Sequence, residues 1–175
     1  MDIRVELTPD DRDTVQEFVE RLTAIKSNTK RFQMTDAESL DYEISGKLVE
    51  VAVGRHFGWP VDWSIHPGGD GHVDFTLRDG STLDCKGTHV RANMGHDYSL
   101  ALPVDEALAD YYIQALISPL CDFALITGGI SRARFLALAR PQTDWAGQTT
   151  PMLAVRRSQL SHAYPPAFWS ATLVA

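Results

Sequence analysis

Cysteine is scarce in this chain. Cys85 and Cys121 are the only two in 175 residues. Each stands in an apolar setting, so buried thiols in a reducing compartment are expected rather than a disulfide framework. Cys-x-x-Cys is absent, and the six histidines show no ligand-like spacing, which argues against the usual zinc sites. No apolar run approaches the ~18 residues that a membrane span needs. The first residues, Met1-Asp2-Ile3-Arg4, do not read as a signal peptide. These absences together point to a cytoplasmic protein with no membrane partner. Repeats, low-complexity tracts and linkers are also missing, so residues 1–175 are expected to form a single domain. Positive charge is short as well: Lys and Arg number 16 against 23 Asp and Glu, a net charge of −7. Proteins that grip nucleic acid through its phosphates are usually basic over the contact face. The balance argues against a simple phosphate clamp. It leaves room for local basic clusters and for carboxylates that hold a metal.

What is present centres on His72 to Thr88. Two alternating runs, His72–Leu77 and Ser81–Thr88, flank Arg78-Asp79-Gly80, which is a hairpin pattern. A two-residue Asp79-Gly80 loop would set Asp74 opposite Cys85 and mix apolar with polar side chains on both faces. A three-residue loop, with Gly80 left-handed, sets Asp74 opposite Asp84. His72, Asp74, Thr76, Thr82, Asp84 and Lys86 then share one face, and Val73, Phe75, Leu77, Leu83 and Cys85 share the other. A slip of one residue would expose the apolar set, so the second register is expected. Directly opposed like charges are destabilising. The pairing therefore wants a cation between the two aspartates.

Along the chain, residues 2–7 read as a short strand or extended lead-in. Thr8-Pro9-Asp10-Asp11 is a helix start, with Thr8 as N-cap and Pro9 at the first position. Val15, Phe18, Val19, Leu22 and Ile25 carry that helix to about Lys26. Ser27 to Phe32, with Lys26, Lys30 and Arg31 nearby, reads as a solvated connector that could touch phosphates. A second helix is expected from Asp36 to His56, capped by Thr35 or Asp36, with Leu40, Ile44, Leu48 and Val51 on one face. Glu43, Gly46, Glu50 and Val53 lie on the adjoining face. Gly46 costs roughly 1 kcal/mol against Ala inside a helix, which suggests that another backbone comes close there. Gly58 and Pro60 end the helix. Trp59 to Pro67 reads as extended and Gly68-Gly69-Asp70-Gly71 as a turn. Val90 to Leu102 is a polar excursion that returns to apolar character at Ser99. Tyr111–Ile117 is read as a strand, with helix as the alternative. Asp122–Thr127 is a second apolar run stopped by Gly128-Gly129. Ser131 is expected to cap a short helix through Arg134, Phe135 and Leu138, and the tail with Arg156, Arg157 and Leu160 reads as a docking segment.

Asp84 and Lys86 leave the same strand face because side chains alternate with period two. Asp74 faces them, and a helix packed nearby could add Glu50. Such oxygen ligands suit a hard cation, Mg2+ or Mn2+, that keeps waters and binds phosphate oxygens. The bland alternative is an ordinary solvated hairpin face, with Glu50 a surface glutamate and His72 and His89 structural.

The order Gly46-Lys47-Leu48-Val49-Glu50, Gly71-His72-Val73-Asp74 and Leu83-Asp84-Cys85-Lys86-Gly87-Thr88 resembles the PD-(D/E)xK nuclease superfamily. The runs Ala109–Ile113 and Phe123–Gly128 look like the strands that follow the motif in small members. The likeness spans about Asp36 to Phe135 and rests on short motifs. Val73 stands where many members have proline, and there is no cysteine set for an iron–sulfur cluster. The resemblance implies an α/β fold with a mixed central β-sheet flanked by α-helices, restriction-endonuclease-like. It implies Mg2+ or Mn2+ held by Asp74, Asp84 and Glu50, directly or through water, with Lys86 assisting a nucleophilic water. Its reaction is phosphodiester hydrolysis leaving a 5′-phosphate, with DNA the expected substrate and a homodimer the analogous assembly. A domain that binds nucleic acid or protein on the same fold without cleaving is the alternative.

Overall fold

The structure, a computed structural model, describes residues 1–25, 36–65, 73–89, 99–103, 107–142 and 152–169. In chain order the elements are β1 (Ile3–Glu6), α1 (Pro9–Ile25), α2 (Asp36–Phe57), β2 (Phe75–Thr76), β3 (Thr82–His89), β4 (Ser99–Pro103), β5 (Tyr111–Ile117), β6 (Phe123–Ser131), α3 (Arg132–Leu138), β7 (Arg140–Gln142) and β8 (Met152–Arg156). Two short 3-10 turns, Arg157–Gln159 and Pro166–Trp169, follow. The expected loop through Ser27–Phe32, the Thr35 cap, the Gly68–Gly71 turn, His72 and the Val90–Tyr98 excursion lie outside the described residues. Among the described residues, no helix is long and apolar enough to cross a membrane.

The hairpin adopts the three-residue loop. The Leu77 amide donates to Ser81 O at 2.8 Å, the Gly80 amide donates to Leu77 O at 2.9 Å, and Gly80 has φ +84°. Phe75 pairs with Leu83 and Thr76 with Thr82, the register expected of that loop, but the pairing ends at Phe75: the Asp74 amide donates to Leu83 O, so the expected direct Asp74–Asp84 pair is not formed. Phe75, Leu77, Leu83 and Cys85 are all buried, as the alternation requires.

The sheet around this hairpin has five strands in the order β1-β6-β5-β3-β2. It is mixed, because β3 and β5 run parallel and the other neighbours antiparallel. Asp110 fixes the parallel register. Its carboxylate accepts from the Thr82 amide at 2.9 Å and the Thr82 hydroxyl at 3.0 Å. Strand is the correct reading of Tyr111–Ile117, and Tyr112 to Ile117 is buried without a break. Such a run is typical of a strand covered on both faces.

The first cover is helical. Thr8 and Asp11 cap α1 reciprocally: the Asp11 amide donates to Thr8 Oγ1 at 3.2 Å, and the Thr8 amide donates to Asp11 Oδ2 at 2.7 Å. Val15, Phe18, Val19 and Leu22 of α1, and Leu48, Val49, Ala52 and Val53 of α2, pack in one core with Leu83, Cys85, Ile113, Ala115, Ile117 and Ile126. Arg55 of α2 ties the layer together, forking onto Asp11 at 2.6 and 2.8 Å and donating to Glu6 O. The opposite face carries a second core of Leu100, Leu102, Tyr112, Ile130, Phe135 and Val155. It lies under a three-stranded sheet, β4-β8-β7, and α3, which Ser131 caps by accepting the Arg134 amide at 3.4 Å. The sequence reading does not contain that second sheet.

Two expectations change. The strand β6 does not stop at Gly128-Gly129 but continues to Ser131. A bulge at Gln114/Ala115 absorbs the irregularity, and Ser161 pairs with Gly129 there, which seats the tail against the sheet. Nor is Gly46 where a backbone comes close. Among the described residues, nothing lies within 4 Å of a Cβ built there. Gly87 holds that role, since its Cβ would stand 2.7 Å from Val49 Cγ2 and 3.1 Å from Ser45 O.

Gly87→Ala is expected to push α2 off β3 and cost about 1–3 kcal/mol by overpacking. Gly80→Ala, with open space around it but a left-handed φ, is expected to cost about 1 kcal/mol. Urea denaturation ranks the two; a Gly87→Ala variant as stable as the parent would refute the close seating of α2.

Candidate active site

Only two residues of β2 join the ladder, so the hairpin opens as soon as it reaches Asp74. The Asp74 amide still donates to Leu83 O at 2.9 Å. Its side chain takes over the next ladder position, Oδ2 accepting the Cys85 amide at 2.5 Å. A carboxylate thus stands where a strand backbone would be, fixed from both ends, at the edge of β3.

In the same cleft, Asp84 is 2% exposed. Its Oδ2 lies 2.8 Å from Lys86 Nζ, the i,i+2 pair that a strand brings to one face. Burial pulls the Lys86 amine down, and the adjoining Asp84 charge and hydrogen bond more than offset it, so its pKa is raised above the ordinary 10.5. Tyr112, beside Asp84 in the parallel ladder, has its phenol pushed up to about 12 by burial and then by the Asp84 charge. A cleft of about 120 Å³ opens here, lined by Tyr42 and Gly46 of α2, Asp74, and residues Asp84 to Gly87 of β3. That volume holds a few waters or a hydrated cation.

The structure therefore brings Asp74, Asp84 and Lys86 to one cleft. Glu50 stands differently. The helix α2 packs on the Cys85–Gly87 side of β3, whereas Asp84 and Lys86 leave from the other side, and Glu50 is not among the residues that line the cleft. Its nearness shows at Cys85, whose thiol is pushed well up by burial, then by the charges of Asp74, Glu50 and Asp84 in that order. Such a thiol stays protonated and is no nucleophile. Glu50 Oε2 itself takes a 2.5 Å contact from Lys47 Nζ. Lys47, 8% exposed, also donates to Asp62 O at 2.6 Å and sits 4.7 Å from the centre of the Phe18 ring. Among the described residues, no three acids, histidines or cysteines converge at metal-ligand spacing. Two carboxylates are nonetheless a sufficient protein contribution for Mg2+, which is commonly held by one or two carboxylates, substrate oxygens and waters. The donor set fits that mode. His89 Nε2 lies 3.3 Å from Asp41 Oδ1.

Sequence reasoning missed Lys47 and Tyr42. Both had a signal: Lys47 stands three residues before Glu50 and Tyr42 four before Gly46, spacings that share a helix face. No protein-family model matches the chain, and no curated protein matches it.

Two outcomes follow for stability. Asp74→Asn keeps an oxygen for the Cys85 amide and should stay near the parent, while Asp74→Ala should lose about 1–3 kcal/mol through an unmet buried donor; equal midpoints in urea would show that the bond carries nothing. The Asp84–Lys86 pair has a raised amine pKa, so its contribution is fully present below pH 10.5 and declines as pH rises past it. Alkaline titration of stability should show that decline in the parent and not in Asp84→Asn.

Proposed function

We propose that this chain is a metal-dependent nuclease of restriction-endonuclease-like fold, hydrolysing phosphodiester bonds in DNA. One observation carries the reading: Asp84 of β3, Asp74 just before β2 and a lysine ion-paired to Asp84 meet in a single open cleft. The mixed sheet, with α2 bearing Glu50 packed on β3, supports it further.

Asp74 and Asp84 would hold Mg2+ or Mn2+, with Glu50 contributing through water. When bound, the ion lowers the pKa of a water and stabilises charge developing on the phosphate. The chain's own residues do the rest. Asp74 is kept in place by the Cys85 amide and Asp84 by Lys86, so both carboxylates present fixed oxygens. Lys86 is protonated and thus acts by donating to a phosphate oxygen or to the attacking water, not by taking a proton from it. Cys85 stays a neutral packing group.

Incubation with plasmid DNA and Mg2+ tests this. The parent should cleave, EDTA should abolish cleavage, and Asp84→Ala and Lys86→Ala should each lose about 10²-fold or more with unchanged circular dichroism. Cleavage that survives both substitutions would sink the assignment. Retention of DNA without cleavage, with or without metal, would favour the binding-domain alternative.

A further inference from the structure

Gly46 is the least explained residue at the site. A glycine inside a 22-residue helix weakens that helix relative to alanine. Such a cost is usually offset by a close neighbour, as Gly87 shows against α2. Among the described residues Gly46 has no such neighbour, because a Cβ there would meet nothing within 4 Å. Gly46 instead walls the cleft that contains Asp74, Asp84 and Lys86. Tyr42, one turn earlier, lines the same cleft and is 55% exposed. The Tyr42 carbonyl accepts the Ser45 hydroxyl at 2.9 Å, which ties down the turn between them. The cleft, about 120 Å³, is too small for a nucleotide, and α2 forms one of its walls through Tyr42 and Gly46, so the flanking sugar and base of a substrate whose phosphate entered it have the surface of α2 beside them. There the helix offers a bare backbone and, next to it, an aromatic ring.

We propose that Tyr42 and Gly46 form a nucleoside subsite beside the cleft. The sugar–phosphate chain passes over Gly46, where any side chain would crowd it, and the adjoining base stacks on the Tyr42 ring. The proposal rests on the nuclease reading for the phosphate that enters the cleft. Stacking on an aromatic ring does not distinguish bases strongly, so the subsite reads single-stranded or unstacked character rather than sequence.

The test uses the full chain, a fluorescently labelled single-stranded tetranucleotide, and inorganic phosphate as a probe without a base. Ca2+ replaces Mg2+ in the binding assays; it takes oxygen ligands at longer distances. Tyr42→Ala should weaken tetranucleotide binding roughly tenfold, the loss of one base stack, and leave phosphate binding unchanged. Tyr42→Phe should retain binding. Gly46→Ala should raise the melting temperature and still weaken tetranucleotide binding roughly tenfold, so misfolding cannot explain the loss. Unchanged tetranucleotide binding in both Tyr42→Ala and Gly46→Ala, with parental DNA cleavage intact, overturns the subsite alone. A parent chain that neither binds the tetranucleotide nor cleaves DNA overturns the nuclease reading and the subsite with it.

Discussion

Asp74 and Asp84 line one cleft, and the site exists because the fold tolerates two carboxylates there. Neighbouring like charges repel, and removing a charge from water costs several kcal/mol per ion even after relaxation. Each acid here has its own compensation. Asp74 accepts a main-chain amide at 2.5 Å, and buried Asp84 lies 2.8 Å from an ammonium. The partners come from β3 itself, at Cys85 and Lys86. The strand that presents the problem therefore also supplies its relief, and both depend on the same register.

That register reaches the helices through Gly87. The face of β3 that holds Leu83 and Cys85 must lie flat under α2, and at Gly87 the helix comes so near that only hydrogen fits. Close seating brings the charge of Glu50 near the Cys85 thiol. It also explains why Lys47 is buried. Its ammonium, 2.5 Å from Glu50, offsets the third carboxylate charge that Glu50 adds around Cys85. The Phe18 ring beneath Lys47 lets the cation leave water at lower cost.

Much of this was legible in the residues, and the reasons differ by element. The hairpin register followed from alternation, because only one loop length keeps Phe75, Leu77, Leu83 and Cys85 on one side. The cap at Thr8 and the strand at Tyr111 had local signals of the same kind. The sheet of β4, β7 and β8 had none. Its strands are short, Pro141 sits inside one of them, and β4 pairs with β8 across about fifty residues. The burial of Asp84 was hidden for the same reason, since the layer that covers its face was not foreseen. Gly46 misled because a helix glycine has two explanations, close packing and open access, and sequence alone does not separate them. Lys47 was readable and overlooked: an i,i+3 partner for Glu50 follows from helix spacing alone.

The charge around the cleft connects these parts to the proposed chemistry. Asp74, Asp84 and Glu50 are three carboxylates; Lys47 and Lys86 are two ammoniums. With all five ionised, these groups leave a single negative charge. A phosphodiester entering alone would add a second negative charge and be repelled. One divalent cation arriving with it brings the sum to neutrality. On the proposed reading, the acidic balance of the whole chain, −7, would add selectivity: a polyanion would gain a place at this edge only in company with a cation.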